Sequence, residues 1–228
     1  MTNIKHVFFD LDHTLWDFEK NSALTFQQVF ENQKILITVD DFLNAYKPIN
    51  LKYWKLYRNE KVTKDDLRFY RLKETFDALN YSLSDDLVNF ISESYIDFLP
   101  NYNHLFDGTL DLLDYLKEKY HLHIITNGFQ EVQSLKMEKS GLSSYFKQII
   151  TSESVGLKKP NPKIFEFALQ ISEATLDNSI MIGDSLEADI QGALDFGIKA
   201  IHCNFEQVVI ENKEIISVKS LVEIKQYL

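Results

Sequence analysis

Two aspartates separated by one leucine, Asp10 and Asp12 in FFDLDHTLWD, close an apolar run, KHVFF. Residues two apart in an extended chain point to the same side, so these carboxylates crowd together at the end of a buried strand. Like charges so placed repel unless a cation or a proton intervenes. Other polar groups hold comparable positions: HLHII runs into Thr126-Asn127-Gly128, SIMIG into Asp184-Ser185, and Lys158-Lys159 follow FKQIIT in the loop GLKKPNP. Carboxylate oxygens bind Mg²⁺, an ion that keeps waters and also takes substrate phosphate oxygens. It would relieve the repulsion between the acids and help offset that of an arriving phosphate. Asp10 could then attack phosphorus as a carboxylate nucleophile, giving an aspartyl-phosphate intermediate. Asp12 could protonate the leaving oxygen and later take a proton from the hydrolytic water. Lys159 and the Thr126 hydroxyl would neutralise charge on the transferring group.

Each motif alone has a plainer reading. The aspartate pair could be a solvated strand end, TNG a turn, KKP a loop of exposed lysines, and GDSLEAD a capped helix start. Their succession, each after its own strand-like run, favours a single site.

The elements that must position these groups follow from the spacing of apolar residues. All seven glycines lie at or after Gly108. The glycine-free part contains segments with apolar residues three to four apart, such as NSALTFQQVFENQ and DDLRFYRLKETFDAL, and suits helices with short connections. Its aromatics, among them Phe26, Phe30, Phe42, Tyr46, Tyr53, Trp54, Tyr57, Phe69, Tyr70 and Phe76, read chiefly as the packing of a small helical unit. From residue 101, helix-like TLDLLDYLKEKY, FQEVQSLKMEKS, PNPKIFEFALQIS and SLEADIQGALDFG precede strand-like HLHIIT, FKQIIT, SIMIGD and KAIHCN. Such alternation predicts an α/β fold with a doubly wound parallel sheet, which KHVFFD joins from upstream. The polar strand ends then converge at the carboxyl edge, where such sheets form their ligand crevice. The expected organisation is an α/β core of residues 1–16 and 100–228, interrupted by a helical insertion, 17–99.

Composition narrows the function classes. The 228 residues are 45% hydrophobic and 25% charged, with a formal net charge of −10. That balance describes an ordinary globular protein and argues against a nucleic-acid polymer as partner, which needs a basic face. No run of 18 apolar residues is present, so no membrane span is expected, and the first residues do not resemble a signal peptide. A single cysteine, Cys203, excludes an intramolecular disulfide and a cysteine-cluster metal site. The cytoplasm is the expected compartment. Monomer and homodimer both stay open.

Together DLDHT, TNG, KKPNPKIF and GDSLEAD resemble the haloacid dehalogenase-like (HAD) superfamily of phosphatases, in its order and across almost the full chain. The resemblance implies a Rossmann-like core with a helical cap that selects a small-molecule phosphomonoester. It implies Asp10 as nucleophile and Asp12 as general acid and base. It implies Mg²⁺ held by the Asp10 side chain, the Asp12 carbonyl and Asp184. Thr126, Asn127 and Lys159 fall at its phosphate site, and Asp189 supports metal or lysine. Many relatives carry glycine where His13 stands; this histidine is either a subgroup feature lining the pocket or a tolerated side chain.

Within the superfamily, IITNGFQEVQ, GLSSYF, SESVGLKKP and GDSLEADIQGA are similar to bacterial pyrimidine 5′-nucleotidases, as is a cap pattern with Asn50, Trp54, Tyr57 and Arg71. Trp54 or Tyr57 could stack on a base, and Arg71 could pair with an anion or a carbonyl; taken singly, each reads first as cap interior or surface. A phosphoglycolate or sugar-phosphate phosphatase, or a sugar-phosphate mutase, would share every core motif. A 2-haloacid dehalogenase has no use for Asp12. A non-enzymatic phosphoacceptor domain is about half this length and has no use for the insertion.

Overall fold

Three similar start signals, TVDD, TKDD and SDD, open successive helices in the glycine-free part of the chain. The computed structural model describes residues 3–210 and 212–228. In it, helix α1 (Phe18–Gln33) is followed by α2 (Val39–Arg58), α3 (Lys64–Ala78) and α4 (Asp85–Phe98). Thr38, Thr63 and Ser84 each accept a backbone N–H of the next turn, and Thr63 and Asp66 form a reciprocal capping box. Aspartate pairs 40–41, 65–66 and 85–86 occupy the first turns, where they complement the helix dipole.

The chain divides into two units, one of residues up to Phe18 with Asn103–Leu228, the other Glu19–Tyr102. The interior of the helical unit is aromatic. Phe26 meets Phe42, Tyr46 and Tyr95 at centroid distances of 4.4–4.9 Å, and Phe42 meets Phe76 at 5.1 Å. Tyr53 and Tyr57 are buried as well, whereas Tyr70 is exposed.

The second unit contains the sheet. Strands β1 (His6–Phe9), β2 (His121–Thr126), β3 (Gln148–Thr151), β4 (Ser179–Gly183), β5 (Lys199–Cys203) and β6 (Ile216–Val218) pair in parallel in the order β3-β2-β1-β4-β5-β6. Strands covered on both faces read as nearly continuous apolar runs, and β1 and β4 are buried at every position. The helices are α5 (Thr109–Lys117), α6 (Gln130–Lys139), the short α7 (Ser152–Val155), α8 (Pro162–Ile171) and α9 (Gly192–Phe196). Phe8, Ile125, Ile150, Phe165, Met181 and Ile190 are part of the buried core beside β1 and β4. The strand order reverses direction about β1, so a crevice opens at the carboxyl ends of β1 and β4. The chain leaves and re-enters this unit side by side: Asp17 N–H donates to His104 O and Phe106 N–H to Leu15 O.

The doubly wound parallel architecture expected from the sequence is therefore the observed one. Two details differ. β6 was not expected, because three residues at a sheet edge leave too little apolar pattern. SLEADIQGALDFG is not helical in one style throughout: Leu186–Gln191 form a π-helical turn before α9. Such wide turns are frequent at functional sites, and this one carries Asp189. No helix among the described residues is long and apolar enough to cross a membrane.

Candidate active site

Asp10 follows the last residue of β1, Asp184 the last of β4, and Asp189 sits in the π-helical turn after β4. One carboxylate oxygen from each lies within 4.8 Å of the others. Lys159, about 1% exposed, reaches this group from the loop before α8. Its Nζ donates to Asp10 Oδ1 at 2.6 Å and to the Ile125 carbonyl at 2.6 Å, and lies 2.7 Å from Asp189 Oδ1. Asp189 is locked from its other side, where Oδ2 accepts the Ser185 N–H at 3.0 Å. A Cβ at Gly183 would stand 2.3 Å from Asp189 Oδ2. Any larger residue there would therefore expel the carboxylate, which is why glycine precedes Asp184. Thr14 Oγ1 donates to Asp184 Oδ1 at 3.2 Å, and His202 Nε2 to the Asp184 carbonyl at 2.8 Å.

Three acids and one lysine leave excess negative charge in a buried place. Burial pushes the Asp10 carboxyl well above the ordinary range; Lys159 opposes the shift, and Asp189 and Asp184 add to it. Burial and Asp189 push Asp184 up to about 7 against the pull of Lys159. Burial by itself would lower the lysine's affinity for its proton, but Asp10 and Asp189 outweigh it and Lys159 is raised. Crowded oxygen ligands with unfavourable charge among them fit a hard divalent cation such as Mg²⁺.

Asp12 is held differently from Asp10. Its Oδ1 accepts from Lys136 Nζ at 2.6 Å and its Oδ2 from Gln133 Nε2 at 2.8 Å. Lys136 is buried, with its ammonium 4.0 Å from the Trp16 ring centre and 5.3 Å from that of Phe18. Gln133 also donates to Thr126 Oγ1 at 2.8 Å, and the Gly128 N–H donates to the same oxygen at 3.1 Å. A Cβ at Gly128 would come within 2.5 Å of the Gln133 amide. Asn127 has both halves of its side-chain amide on the Lys159 backbone: Nδ2 donates to Lys159 O at 2.9 Å, and Oδ1 accepts Lys159 N–H at 2.8 Å.

Lys136 and Gln133 were not anticipated from the sequence. The available signal was their three-residue spacing on α6 directly after TNG, which places both on one helix face.

His13 has φ = +62°, in the left-handed region that costs a side-chain-bearing residue roughly 1–2 kcal/mol. Histidine tolerates it better than most residues, and the ring stacks against Phe18 at 4.8 Å. A glycine at this position would carry no such backbone cost. His13→Gly is expected to raise stability by roughly 1 kcal/mol, or about 2–4 °C in melting temperature. Thermal melts of the two proteins check this, and a destabilised variant would show that the Phe18 contact outweighs the backbone strain.

The remaining sequence-predicted residues lie on the helical unit. Asn50, Trp54 and Tyr57 are on α2 and Arg71 on α3. Trp54 and Tyr57 meet edge to face at 5.9 Å. Arg71 Nη1 donates to Asn50 Oδ1 at 3.1 Å.

Comparison with known proteins places these features in a family context. The model of the haloacid dehalogenase-like hydrolases matches residues 7–203. The crystal structure of Bacillus subtilis YfnB bound to magnesium superposes with a TM-score of 0.90 at 30% identity, covering 100% of this chain and 99% of that one. The pyrimidine 5′-nucleotidase YjjG of Escherichia coli is 31% identical over 87% of this chain and 85% of its own. The pyrimidine 5′-nucleotidase PynA of Streptococcus pneumoniae is 32% identical over 88% and 84%.

Proposed function

Since the chain belongs to the haloacid dehalogenase-like hydrolases and is a Mg²⁺-dependent phosphomonoester hydrolase with an aspartate nucleophile, we propose that its substrates are pyrimidine nucleoside 5′-monophosphates and that Asp10 is the nucleophile. The observation that carries the chemistry is the buried Asp10–Lys159 pair beside Asp184 and Asp189. The nucleotide reading is supported by the similarity to YjjG and PynA.

In this reading an Asp10 oxygen bonds to phosphorus as the ester P–O bond breaks, and Asp12 gives its proton to the departing nucleoside oxygen. Water then attacks phosphorus and passes a proton to Asp12. The P–O bond to Asp10 breaks, releasing inorganic phosphate and restoring both carboxyl groups. Lys136 and Gln133 fix the direction of Asp12. Thr126 Oγ1 already accepts two hydrogen bonds, so its own proton is left to donate to a phosphoryl oxygen. Lys159 neutralises charge on that group, and Asn127 holds the backbone from which Lys159 extends. Mg²⁺, held by Asp10, Asp184 and the Asp12 carbonyl with Asp189 in support, would supply charge neutralisation for the acids and the phosphoryl oxygens. The helical unit is assigned the choice of substrate.

Glyceraldehyde 3-phosphate phosphatases are also among the relatives, and phosphoglycolate or sugar phosphates would use the same core. Phosphate release from a panel with Mg²⁺ present decides among them. Uridine, deoxyuridine and thymidine monophosphates are expected to exceed triose phosphate, phosphoglycolate and hexose phosphates by about tenfold or more in kcat/KM. EDTA is expected to stop turnover. A triose phosphate or phosphoglycolate turned over better than the nucleotides would remove the nucleotidase assignment.

A further inference from the structure

The helical unit buries an arginine that has no acidic partner among the described residues. Arg71 is 2% exposed. Its guanidinium lies 5.3 Å from the Tyr95 ring centre and 5.9 Å from that of Tyr46, and among the described residues its one side-chain hydrogen bond is to Asn50 Oδ1. Nε is buried with no hydrogen-bond partner among the described residues. Glu19, in the same unit, is in an ion pair with Lys47 at 2.5 Å. A buried cation without a counter-charge is strongly unfavourable, and contacts with aromatic faces offset only part of that. A well-packed apolar residue of similar volume would serve the fold alone at least as well.

The polarity of the pair narrows what it can take. Asn50 uses its carbonyl oxygen for Arg71, so its amide nitrogen remains a donor, and Arg71 has donors only. Two adjacent side chains that donate and do not accept suit a ligand that presents carbonyl oxygens. Uracil and thymine have two ring carbonyls and cytosine has one, whereas adenine has none. We infer that Asn50 and Arg71 recognise a ring carbonyl of the pyrimidine base, and so set the substrate preference of the enzyme. This rests on the nucleotidase reading above and adds the residues that make the choice.

The isosteric Asn50→Asp variant separates recognition from folding. It gives Arg71 an internal carboxylate, so the melting temperature is expected to rise while the arginine is withdrawn from ligand. The kcat/KM for deoxyuridine monophosphate, taken relative to that for p-nitrophenyl phosphate, is expected to fall about 10–100-fold, mostly through KM. Uridine, which has the base but no phosphate, is expected to weaken as a competitive inhibitor by a similar factor. Arg71→Met, which fills the same space without charge, is expected to lower the same ratio.

If wild-type enzyme prefers pyrimidine monophosphates but neither variant changes the ratio by more than about twofold, this inference fails and the nucleotidase reading stands. If the wild type has no preference for pyrimidine monophosphates, both fail. A parallel loss on deoxyuridine monophosphate and p-nitrophenyl phosphate would make Arg71 structural and would also overturn the inference.

Discussion

Asp10→Asn is expected to lose roughly 10⁴-fold or more in kcat, with melting temperature in the absence of Mg²⁺ equal to or above that of the wild type. The first half follows from the proposed chemistry, because an amide oxygen cannot form the phosphoryl ester. The second follows from the surroundings of Asp10. An asparagine Oδ1 still accepts from Lys159 Nζ, now 2.6 Å away, so no buried donor is orphaned. The substitution removes one of three negative charges packed within 4.8 Å, leaving Lys159 with Asp189 and Asp184. Stabilisation by added Mg²⁺ should shrink for the same reason, since one charged ligand is gone. Single-turnover phosphate release and thermal melts with and without Mg²⁺ check both halves. Wild-type turnover in the variant would sink the assignment of Asp10.

Lys159→Met should show the opposite pattern in stability. The lysine is the cation that contacts both Asp10 and Asp189, and it is fully buried among them. Methionine has a similar length and no charge, so the variant leaves the buried Asp10 and Asp189 carboxylates without the cation that contacts both. Breaking a buried pair from one side costs about 3–5 kcal/mol, or on the order of 10 °C for a protein of this size. Added Mg²⁺ should recover part of that loss and therefore stabilise the variant more than the wild type, because the cation takes over charge that the lysine no longer balances. Turnover should fall by about 10²–10³ with loss of the positive charge at the phosphoryl group. A melting temperature within about 1 °C of wild type would show that the acids do not depend on Lys159.

The two variants fall at opposite ends of one electrostatic balance. Removing an acid should relieve the site and removing the lysine should strain it, while both should slow turnover by about 10²-fold or more. A site that was merely structural would not pair those outcomes.

Much of this balance was legible before folding. Asp10, Thr126 and Asp184 follow apolar runs, and in a parallel sheet the ends of such runs face the same edge whatever the loops do. KHVFF, HLHII and SIMIG became β1, β2 and β4, neighbours in the sheet. Asp189 was less legible: its place beside Lys159 depends on a π-helical turn that helical periodicity does not announce. Lys136 was hidden for a related reason. A lysine within a helix reads as solvated, and α6 also carries Lys139. Only the rotation of α6 about its own axis decides that Lys136, and not Lys139, is buried over Trp16 with its ammonium on Asp12.

His13 shows the same division at a single residue. Its identity marked a departure from the usual glycine, but the left-handed backbone that makes glycine favourable became apparent only in the fold. Arg71 is a further case. Its type suggested pairing with an anion or carbonyl, whereas its contacts with Asn50, Tyr46 and Tyr95, and with no acid among the described residues, could be known only once α2, α3 and α4 were packed. Residue order determined the sheet, its edge and the chemical groups delivered to that edge, because strand periodicity and short connections act locally. Tertiary structure decided which charge meets which, because residues more than a hundred positions apart, Asp12 and Lys136 or Asp10 and Lys159, find each other only through register and helix rotation.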